Sequence, residues 1–259
     1  MEITWYGTAS LKIESEGSAV FLDPYISRNA ALPPIVSSDL ENINALLLTH
    51  GHFDHVADIP SLFYNRQVPV YASDKIIKTL SKCKEYVSIN FNSALPGKTY
   101  KVGKLLVTPF QAKHVKFDIP LIVKTVWRIF KSLAFNIKPL AGVISDFFKY
   151  PEGETFAWQV KSEKGSVLIF GSMGFADGVQ YPEPDLLVLP LQGHSRIFNM
   201  ALEAVSRIKP SAVMLDHFDD SFPPVSDTID VNAFVDLLKE EFPDVKAFVP
   251  CHRNKIKVF

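Results

Sequence analysis

Three histidines and one aspartate, His50, His52, Asp54 and His55, fall within six residues, directly after the apolar run 44–48. A neutral imidazole nitrogen is the commonest metal ligand in proteins, and carboxylate oxygens also bind divalent ions. If His50 and His52 alternate along an extended turn, both rings can reach one ion, whereas the adjacent Asp54 and His55 point elsewhere and suit a second ion. Because a bound metal lowers the pKa of water from about 15.7 to about 7, the pattern indicates metal-assisted hydrolysis.

Three histidines farther along the chain, His114, His194 and His217, each follow an apolar run that is typical of a strand. A histidine at the end of a strand can reach a site at the edge of a sheet. From the residues alone, His114 and His217 are either further ligands or ordinary loop histidines, and both interpretations stay open. His194 could orient a substrate or donate a proton to a leaving group, or it could be bonded to the backbone.

The bulk composition limits the class of protein. The chain has 259 residues, 47% of them hydrophobic, which is enough to bury a large core. The net charge of -1 gives no global attraction to nucleic acid or to a membrane. Two cysteines, Cys83 and Cys251, do not make a disulfide framework and fit a reducing cytosol. We find no signal peptide and no apolar run of about 18 residues, so we expect a cytoplasmic protein.

The elements that must position these residues alternate along the chain in a recognisable order. Strands come first in each half, and strands then alternate with helices. This order predicts an α/β domain, residues 1–259, in which two sheets pack face to face with helices outside. We predict strands at 3–5, 11–13, 19–22, 44–48, 68–71, 105–110, 156–160, 167–170, 185–189, 212–215 and 246–250, and helices at 60–65, 74–82, 199–208 and 231–241.

The segment 118–150 interrupts the strand rhythm and is both apolar and basic. Apolar residues recur at helical spacing and predict one face of a helix, with basic residues opposite. A second apolar run covers 137–148. Because the segment follows His114 directly, we expect a helical insert over the site. It could be a lid, a contact between two copies, or a helix that lies on a membrane, with the protein then peripheral there. The predicted apolar face contains Leu121, Ile122, Thr125, Val126, Ile129, Phe130 and Leu133, and the basic face Lys124, Arg128 and Lys131.

The cluster at 50–55 resembles the H-x-H-x-D-H signature of the metallo-β-lactamase superfamily, and the positions of the later histidines agree with that layout. The resemblance covers nearly the whole chain. It implies a four-layer αββα sandwich of two similar halves, with metals at one sheet edge. The branch it resembles is that of the ascorbate-phosphate lactonases and of the phospholipase-D-type enzymes acting on N-acyl phosphatidylethanolamine.

The resemblance also assigns roles to individual residues. It implies one or two divalent ions, with zinc first and manganese or iron as alternatives. Asp23, in the turn after 19–22, matches a position that braces a ligand histidine, although Asp-Pro is also a common turn. The implied ligands are His50, His52 and His114 for the first ion, and Asp54, His55 and His217 for the second.

The chain departs from the superfamily pattern at one position. The superfamily places an aspartate between the two metals, in a Gly-Asp-Thr-like turn, and here that turn reads Gly171-Ser172-Met173. The nearest acid, Asp177, lies five residues on, and we expect it to miss the site. A neutral serine cancels no metal charge, so two ions would leave more positive charge uncompensated in a partly buried pocket. We therefore expect the second ion to bind more weakly, or an anionic substrate to complete the bridge.

Two acids and one histidine near the site stay ambiguous in the sequence. Asp219 and Asp220 could support His217 or be solvated loop acids. We interpret His252, which follows Cys251, as structural, because two residues do not make a four-ligand site.

The leading hypothesis is a metal-dependent hydrolase that uses a metal-bound hydroxide on an ester, a lactone or a phosphodiester, with an amphiphilic anionic substrate as one candidate. The alternative is a non-catalytic or weakly active metal-binding member that serves as a binding module, marked by Ser172. The near-neutral charge argues against RNA processing, and the lack of paired cysteines argues against oxygen-reactive iron chemistry. We expect a small-molecule substrate and no binding of nucleic acid. The sequence leaves open whether the chain forms a homo-oligomer.

Overall fold

A computed structural model describes residues 1–133 and 138–259 and shows two seven-stranded sheets. The first sheet has the strand order β14-β1-β2-β3-β4-β5-β6, and the second β13-β12-β11-β10-β9-β8-β7. The strands are β1 Glu2–Trp5, β2 Leu11–Ser15, β3 Ser18–Leu22, β4 Ala45–Leu47, β5 Val70–Ala72, β6 Phe91–Ser93, β7 Tyr100–Val102, β8 Leu105–Ala112, β9 Thr155–Ser162, β10 Gly165–Phe170, β11 Leu186–Pro190, β12 Ala212–Asp216, β13 Lys246–Phe248 and β14 Lys255–Lys257.

The two sheets share one plan. In the first, β14, β1, β2 and β3 pair antiparallel, and β3, β4, β5 and β6 pair parallel. In the second, β7 to β10 pair antiparallel, and β10 to β13 pair parallel. The expected two similar halves are therefore confirmed. The short strands β6, β7 and β14 carry little periodicity and were not predicted from the sequence.

The alternation of side chains along the strands creates two kinds of core. In β4, Ala45 and Leu47 join the core between the sheets, whereas Leu46 points to the opposite side. Likewise, Val188 of β11 points between the sheets, and Leu187 points to the outer helices. Each sheet is thus apolar on both faces and needs a layer of helices outside it.

Helices cover the outer face of each sheet and complete the four-layer αββα sandwich. On the first sheet, Ile59, Phe63, Ile76 and Leu80 pack against the strands, and on the second sheet Ala201 and its helical neighbours do so. The predicted sandwich is confirmed. The helices are α1 Phe53–Val56, α2 Ile59–Phe63, α3 Asp74–Leu80, α4 Ile119–Leu133, α5 Lys138–Lys149, α6 Ile197–Ile208 and α7 Val231–Glu241, with 3-10 turns at Ser37–Leu40 and Lys84–Tyr86.

Helices α4 and α5 fall in the predicted insert, and the structure shows which side of α4 packs against the body, a point that the sequence left open. Leu121, Thr125 and Ile129 are half-buried, whereas Ile122, Val126 and Phe130 of the same predicted face are exposed. The half-buried residues thus lie beside the basic residues, and most of the apolar face points to solvent.

The basic residues of α4 explain which side faces the body. Arg128, on the predicted basic face, is half-buried, donates to the carbonyls of Pro224 and Val225, and pairs with Asp227. These contacts turn the helix and bring its other apolar residues to the surface. The side chain of Leu133 and residue 137, where the second apolar run begins, lie outside the described residues. Among the described helices, none combines the length and apolar character needed to cross a bilayer.

Candidate functional site

The candidate ligands lie where strands of both sheets end. Strand β4 of the first sheet leads through Thr49 to His50, and strands β8 and β12 of the second sheet lead to His114 and His217. His52 is the N-cap of α1, and Asp54 and His55 lie in that helix. His52 has an extended backbone, as expected for the turn from His50 to His52, and the helix that follows places Asp54 and His55 at a different angle.

His50, His52 and His114 form the first cluster. One ring nitrogen from each residue can be chosen so that all three nitrogens lie within 4.8 Å of one another. The ring centroids are 4.9 Å apart for His50 and His52, 4.7 Å for His50 and His114, and 4.5 Å for His52 and His114. Three imidazoles at this spacing can share one ion.

Asp54, His55 and His217 form the second cluster, also with one ligand atom from each residue within 4.8 Å of the others. Oδ2 of Asp54 lies 3.1 Å from Nε2 of His217 and 3.6 Å from Nε2 of His55. The rings of His50 and His55 are 3.8 Å apart and connect the two clusters. The structure thus brings all six predicted ligands together as two adjacent sets of three.

Asp23 and Thr49 orient His55 and His50 through contacts with their Nδ1 atoms. Oδ2 of Asp23 lies 2.8 Å from Nδ1 of His55, and both residues are almost fully buried. Thr49 donates its backbone N–H to Oδ1 of Asp23 at 2.8 Å and its hydroxyl to Oδ2 at 2.5 Å. The Thr49 oxygen also lies 3.1 Å from Nδ1 of His50. These contacts engage Nδ1 and leave Nε2 of both histidines for a ligand. Thr49 was not predicted from the sequence, although it directly precedes His50.

His114 is held in a similar way on the second sheet. Its Nδ1 lies 2.6 Å from the carbonyl oxygen of Val115, which can only accept, so Nδ1 carries the proton. Nε2 is then the free nitrogen. Val115 donates its backbone N–H to the Ser172 hydroxyl at 3.0 Å. Ser172 therefore fixes the strand end that carries His114, and it also lines the pocket.

Burial keeps the first cluster neutral. Burial lowers the pKa of His50 well below its ordinary value, and the neighbouring His55 and His114 lower it further. Burial likewise lowers the pKa of His52, and burial together with His52 lowers the pKa of His114 to about 4. Neutral imidazole is the form that binds metals, so the site is electrostatically prepared for a cation.

The second cluster keeps its carboxylate ionised. Burial opposes ionisation of Asp54, but the nearby His55 and the hydrogen bond from His217 hold its pKa below the ordinary value. Burial opposes protonation of His217 as well, yet Asp54 raises the pKa of that histidine. Asp54 is therefore an anionic ligand that currently pairs with its own neighbours.

A close approach at Gly171 fixes the geometry beside Ser172. A Cβ at this position would overlap the side chain of Thr49, which in turn holds Asp23. Asp177, the nearest acid after Ser172, has a 93% exposed side chain and pairs with Lys113 at 2.6 Å. As expected, it does not contribute to the clusters.

Two buried acids lie near the end of β12: Asp216 is its last residue, and Asp219 follows it. Within the described part of the chain, neither carboxylate oxygen of Asp216 has a hydrogen-bond partner, and burial raises the pKa of Asp216 well above its ordinary value. The sequence analysis did not single out this residue. Asp219 accepts the N–H of Thr8 at 2.9 Å, and the Thr8 carbonyl accepts the N–H of His217 at 2.8 Å. Asp219 therefore supports the backbone that carries His217.

His194 and His252 differ in their relation to the site. His194 lines the pocket, and its Nδ1 accepts the backbone N–H of Arg196 at 3.0 Å. That contact places the proton on Nε2. His252 lies with Nε2 at 2.7 Å from the carbonyl oxygen of Tyr6, which agrees with a structural role. Asp220 accepts a hydrogen bond from Ser226 and faces the loop rather than His217.

A cavity of about 380 Å³ lies over both clusters. Its floor includes the ligand residues, Ser172 and His194, and its walls include apolar residues of α4 and α5, among them Ile122, Val126 and Phe148. The Phe147 ring stacks on His52, with centroids 5.9 Å apart. The site is therefore reached through a largely apolar entrance.

The residues fit divalent metal ions. Five imidazoles and one carboxylate are a donor set that suits zinc, manganese or iron. Nδ1 of His217 is buried without a hydrogen-bond partner among the described residues, which is uncommon unless a ligand completes the site. The carboxyl group of the adjacent Asp216 is likewise buried without a hydrogen-bond partner among the described residues.

Comparison with known proteins agrees with this geometry. The model of the Beta-lactamase superfamily domain matches residues 19–218. A UPF0173 metal-dependent hydrolase of Myxococcus xanthus is 30% identical over 259 residues, covering 96% of this chain and 80% of the relative. A UPF0173 metal-dependent hydrolase of Methanocaldococcus jannaschii is 27% identical over 252 residues, which cover 96% of this chain and 96% of the relative. Igni18, a metallo hydrolase of Ignicoccus hospitalis, has a TM-score of 0.69 at 19% identity, covering 98% of this chain and 97% of its own.

Gly171→Ala tests the close approach to Thr49. We expect the added methyl to displace the Thr49 side chain and to lower the free energy of unfolding by about 1–3 kcal/mol, as overpacking does. Urea denaturation measures this. Gly142→Ala is the matched control, since a Cβ there meets nothing within 4 Å and lies in α5, where alanine is favoured over glycine. Equal stability of the two variants would contradict the proposed contact.

The low pKa of His114 predicts a pH dependence in protein stripped of metal. Between pH 6.5, the ordinary value, and about 4, an unfolded chain binds a proton at His114 while the folded chain does not. Stability should therefore be highest above pH 6.5 and should fall as the pH decreases towards 4, by at most about 3 kcal/mol for this residue. Denaturation with a chelator at several pH values measures the slope, which His114→Gln should reduce. An unchanged slope in that variant would refute the assignment.

Proposed function

The chain belongs to the beta-lactamase superfamily and to its UPF0173 metal-dependent hydrolases, and from this premise we propose that it hydrolyses an ester, lactone or phosphodiester bond of a small molecule. The observation that carries the proposal is the convergence of two three-residue ligand sets at the floor of one cavity. The free thiols of Cys83 and Cys251 suit a reducing compartment, and we propose a cytoplasmic location.

The six converging residues would hold the metal ions. His50, His52 and His114 would hold one divalent ion, and Asp54, His55 and His217 a second, with zinc first and manganese or iron as alternatives. Bound ions would lower the pKa of a water molecule and polarise the oxygen of the scissile bond. Asp23 would act as a positioning residue, because its contact with Nδ1 fixes the orientation of His55.

Asp54 would act on the attacking water, and His194 would act on the leaving group. Asp54 stays ionised, so its carboxylate would orient the attacking water and accept a proton from it. His194 carries its proton on Nε2 because Nδ1 accepts the N–H of Arg196, and this N–H would donate a hydrogen bond to the oxygen of the leaving group. The apolar cavity walls and the polar floor together favour a substrate with an anionic head and an apolar body.

His52→Ala tests the hydrolase proposal. We expect it to lower hydrolysis of the responsive substrate at least about 100-fold, since removal of one of three ligands impairs both metal binding and water activation. The measurement is a screen of chromogenic phosphodiesters, lactones and esters with added zinc or manganese. Val87→Ser, at an exposed residue remote from the pocket lining, is the control. Tight metal and ligand binding without turnover would instead support the alternative, a binding module.

Ser172 predicts unequal affinity for the two ions. Its neutral hydroxyl accepts the N–H of Val115 and cannot offset metal charge as an aspartate would. We expect mild dialysis to leave about one ion per chain, and Ser172→Asp to retain the second. Elemental analysis before and after dialysis measures both. Two tightly held ions in the unmodified protein would overturn this prediction.

A further inference from the structure

We propose that α4 and α5 dock the protein on an anionic lipid surface, with the outward apolar side of the two helices inserted among the lipids. The described part of α4 carries six apolar residues that recur at intervals of three and four residues and all face solvent. They are Ile119, Ile122, Val123, Val126, Trp127 and Phe130, and on α5 Ile144, Phe147 and Phe148 are exposed too.

This exposure does not arise from a helix that lies loosely on the body. The inner side of α4 is fixed by Arg128, which contacts two backbone carbonyls and Asp227. On the outer side, Ile119 is 76% exposed, Phe130 is 66% exposed and, on α5, Phe148 is 82% exposed. Proteins that stay in water seldom expose so many large apolar side chains in one place, and such patches mark interaction surfaces. The nine exposed residues are called the outer patch below.

Charge favours a lipid surface as the occupant of the outer patch. The segment 116–149 carries six basic and two acidic residues, although the whole chain is nearly neutral. Both acids are engaged with the body: Asp118 contacts Ser195, and Asp146 lies 3.8 Å from Arg28. Lys124 and Arg128 pair with Asp227, and Lys149 pairs with Glu85. Lys116 and Lys131 have no acidic partner among the described residues and would attract anionic headgroups, at about 1 kcal/mol each near the surface.

The same cations argue against a second copy of the chain, because pairing two such surfaces would bring their lysines together. The arrangement of Trp127 also suits a membrane interface, since Nζ of Lys131 lies over its ring at 5.2 Å. An amphipathic indole beside a lysine is typical of the headgroup level. With 15 residues, α4 is too short to span a bilayer and would lie in its plane.

The outer patch continues into the cavity over the metal ligands. Ile122, Val126, Ile144 and Phe148 are exposed and also line that cavity, so one apolar surface leads from the outside to the histidines. A docked protein could draw an amphiphile directly from the lipid layer to the site. This last step, unlike the docking itself, rests on the proposed function.

Trp127 is a built-in probe for the docking. The chain has three tryptophans, and Trp5 and Trp158 are buried whereas Trp127 is 58% exposed. Vesicles of phosphatidylcholine with about 30% phosphatidylglycerol should therefore shift the tryptophan emission to the blue. Brominated lipids should quench it. Vesicles of phosphatidylcholine alone, or salt near 1 M, should weaken the effect, because salt screens the attraction to the anionic headgroups.

A paired variant locates the docking surface. Val123→Ser/Phe130→Ser keeps Trp127, removes two large exposed side chains, and touches no residue of the cavity lining. We expect it to sediment with the anionic vesicles at least about 10-fold less well, with unchanged circular dichroism and unchanged hydrolysis of a water-soluble substrate. The control Tyr64→Ser/Val87→Ser alters two residues elsewhere that are at least as exposed, and it should bind normally.

The proposal would be overturned if the unmodified protein did not bind anionic vesicles, or if the two paired variants bound them equally well. It would also be overturned if light scattering showed a dimer that does not bind vesicles and that the Val123→Ser/Phe130→Ser variant abolishes. The vesicle measurements need no activity and can be repeated with a chelator. Failure of the hydrolase proposal therefore leaves docking testable, and failure of docking leaves the hydrolase proposal intact.

Discussion

The site depends on one buried carboxylate. Asp23 is fully buried at the end of β3 and accepts the N–H and the hydroxyl of Thr49 while its Oδ2 contacts His55. A buried charge without such partners would cost several kcal/mol, so its hydrogen bonds hold the strand ends in one arrangement. That arrangement aims His50 and His55 at the cavity, and Gly171 of the facing sheet can approach Thr49 only because it lacks a side chain.

Burial then sets the charge state around this carboxylate. The first cluster consists of imidazoles that stay neutral, and the second contains Asp54, which stays anionic through its neighbours. Apolar walls lower the local dielectric constant around these groups and strengthen their electrostatic interactions. The fold thus provides a pocket with neutral imidazole donors and an anionic carboxylate at its floor.

The resemblance to the superfamily added His114 and His217 to the expected ligands. From hydrophobic periodicity and the spacing of His50 to His55, which are local signals, the sequence itself predicted the packed sheets and a metal-binding cluster. It missed contacts that join distant residues, such as Thr49 with Asp23, and the unpartnered Asp216, since burial of a polar group is a property of the packed chain. It predicted the apolar and the basic face of α4 but not which side packs against the body. Helical periodicity separates the two faces, and polar contacts such as those of Arg128 decide which side packs.

The two ligand sets are each divided between the sheets. His50, His52, Asp54 and His55 follow a strand of the first sheet, whereas His114 and His217 follow strands of the second. An ion in either set would therefore act as a cross-link across the central seam of the sandwich. Its binding free energy would resist separation of the halves, so catalytic competence and resistance to unfolding would be gained and lost together.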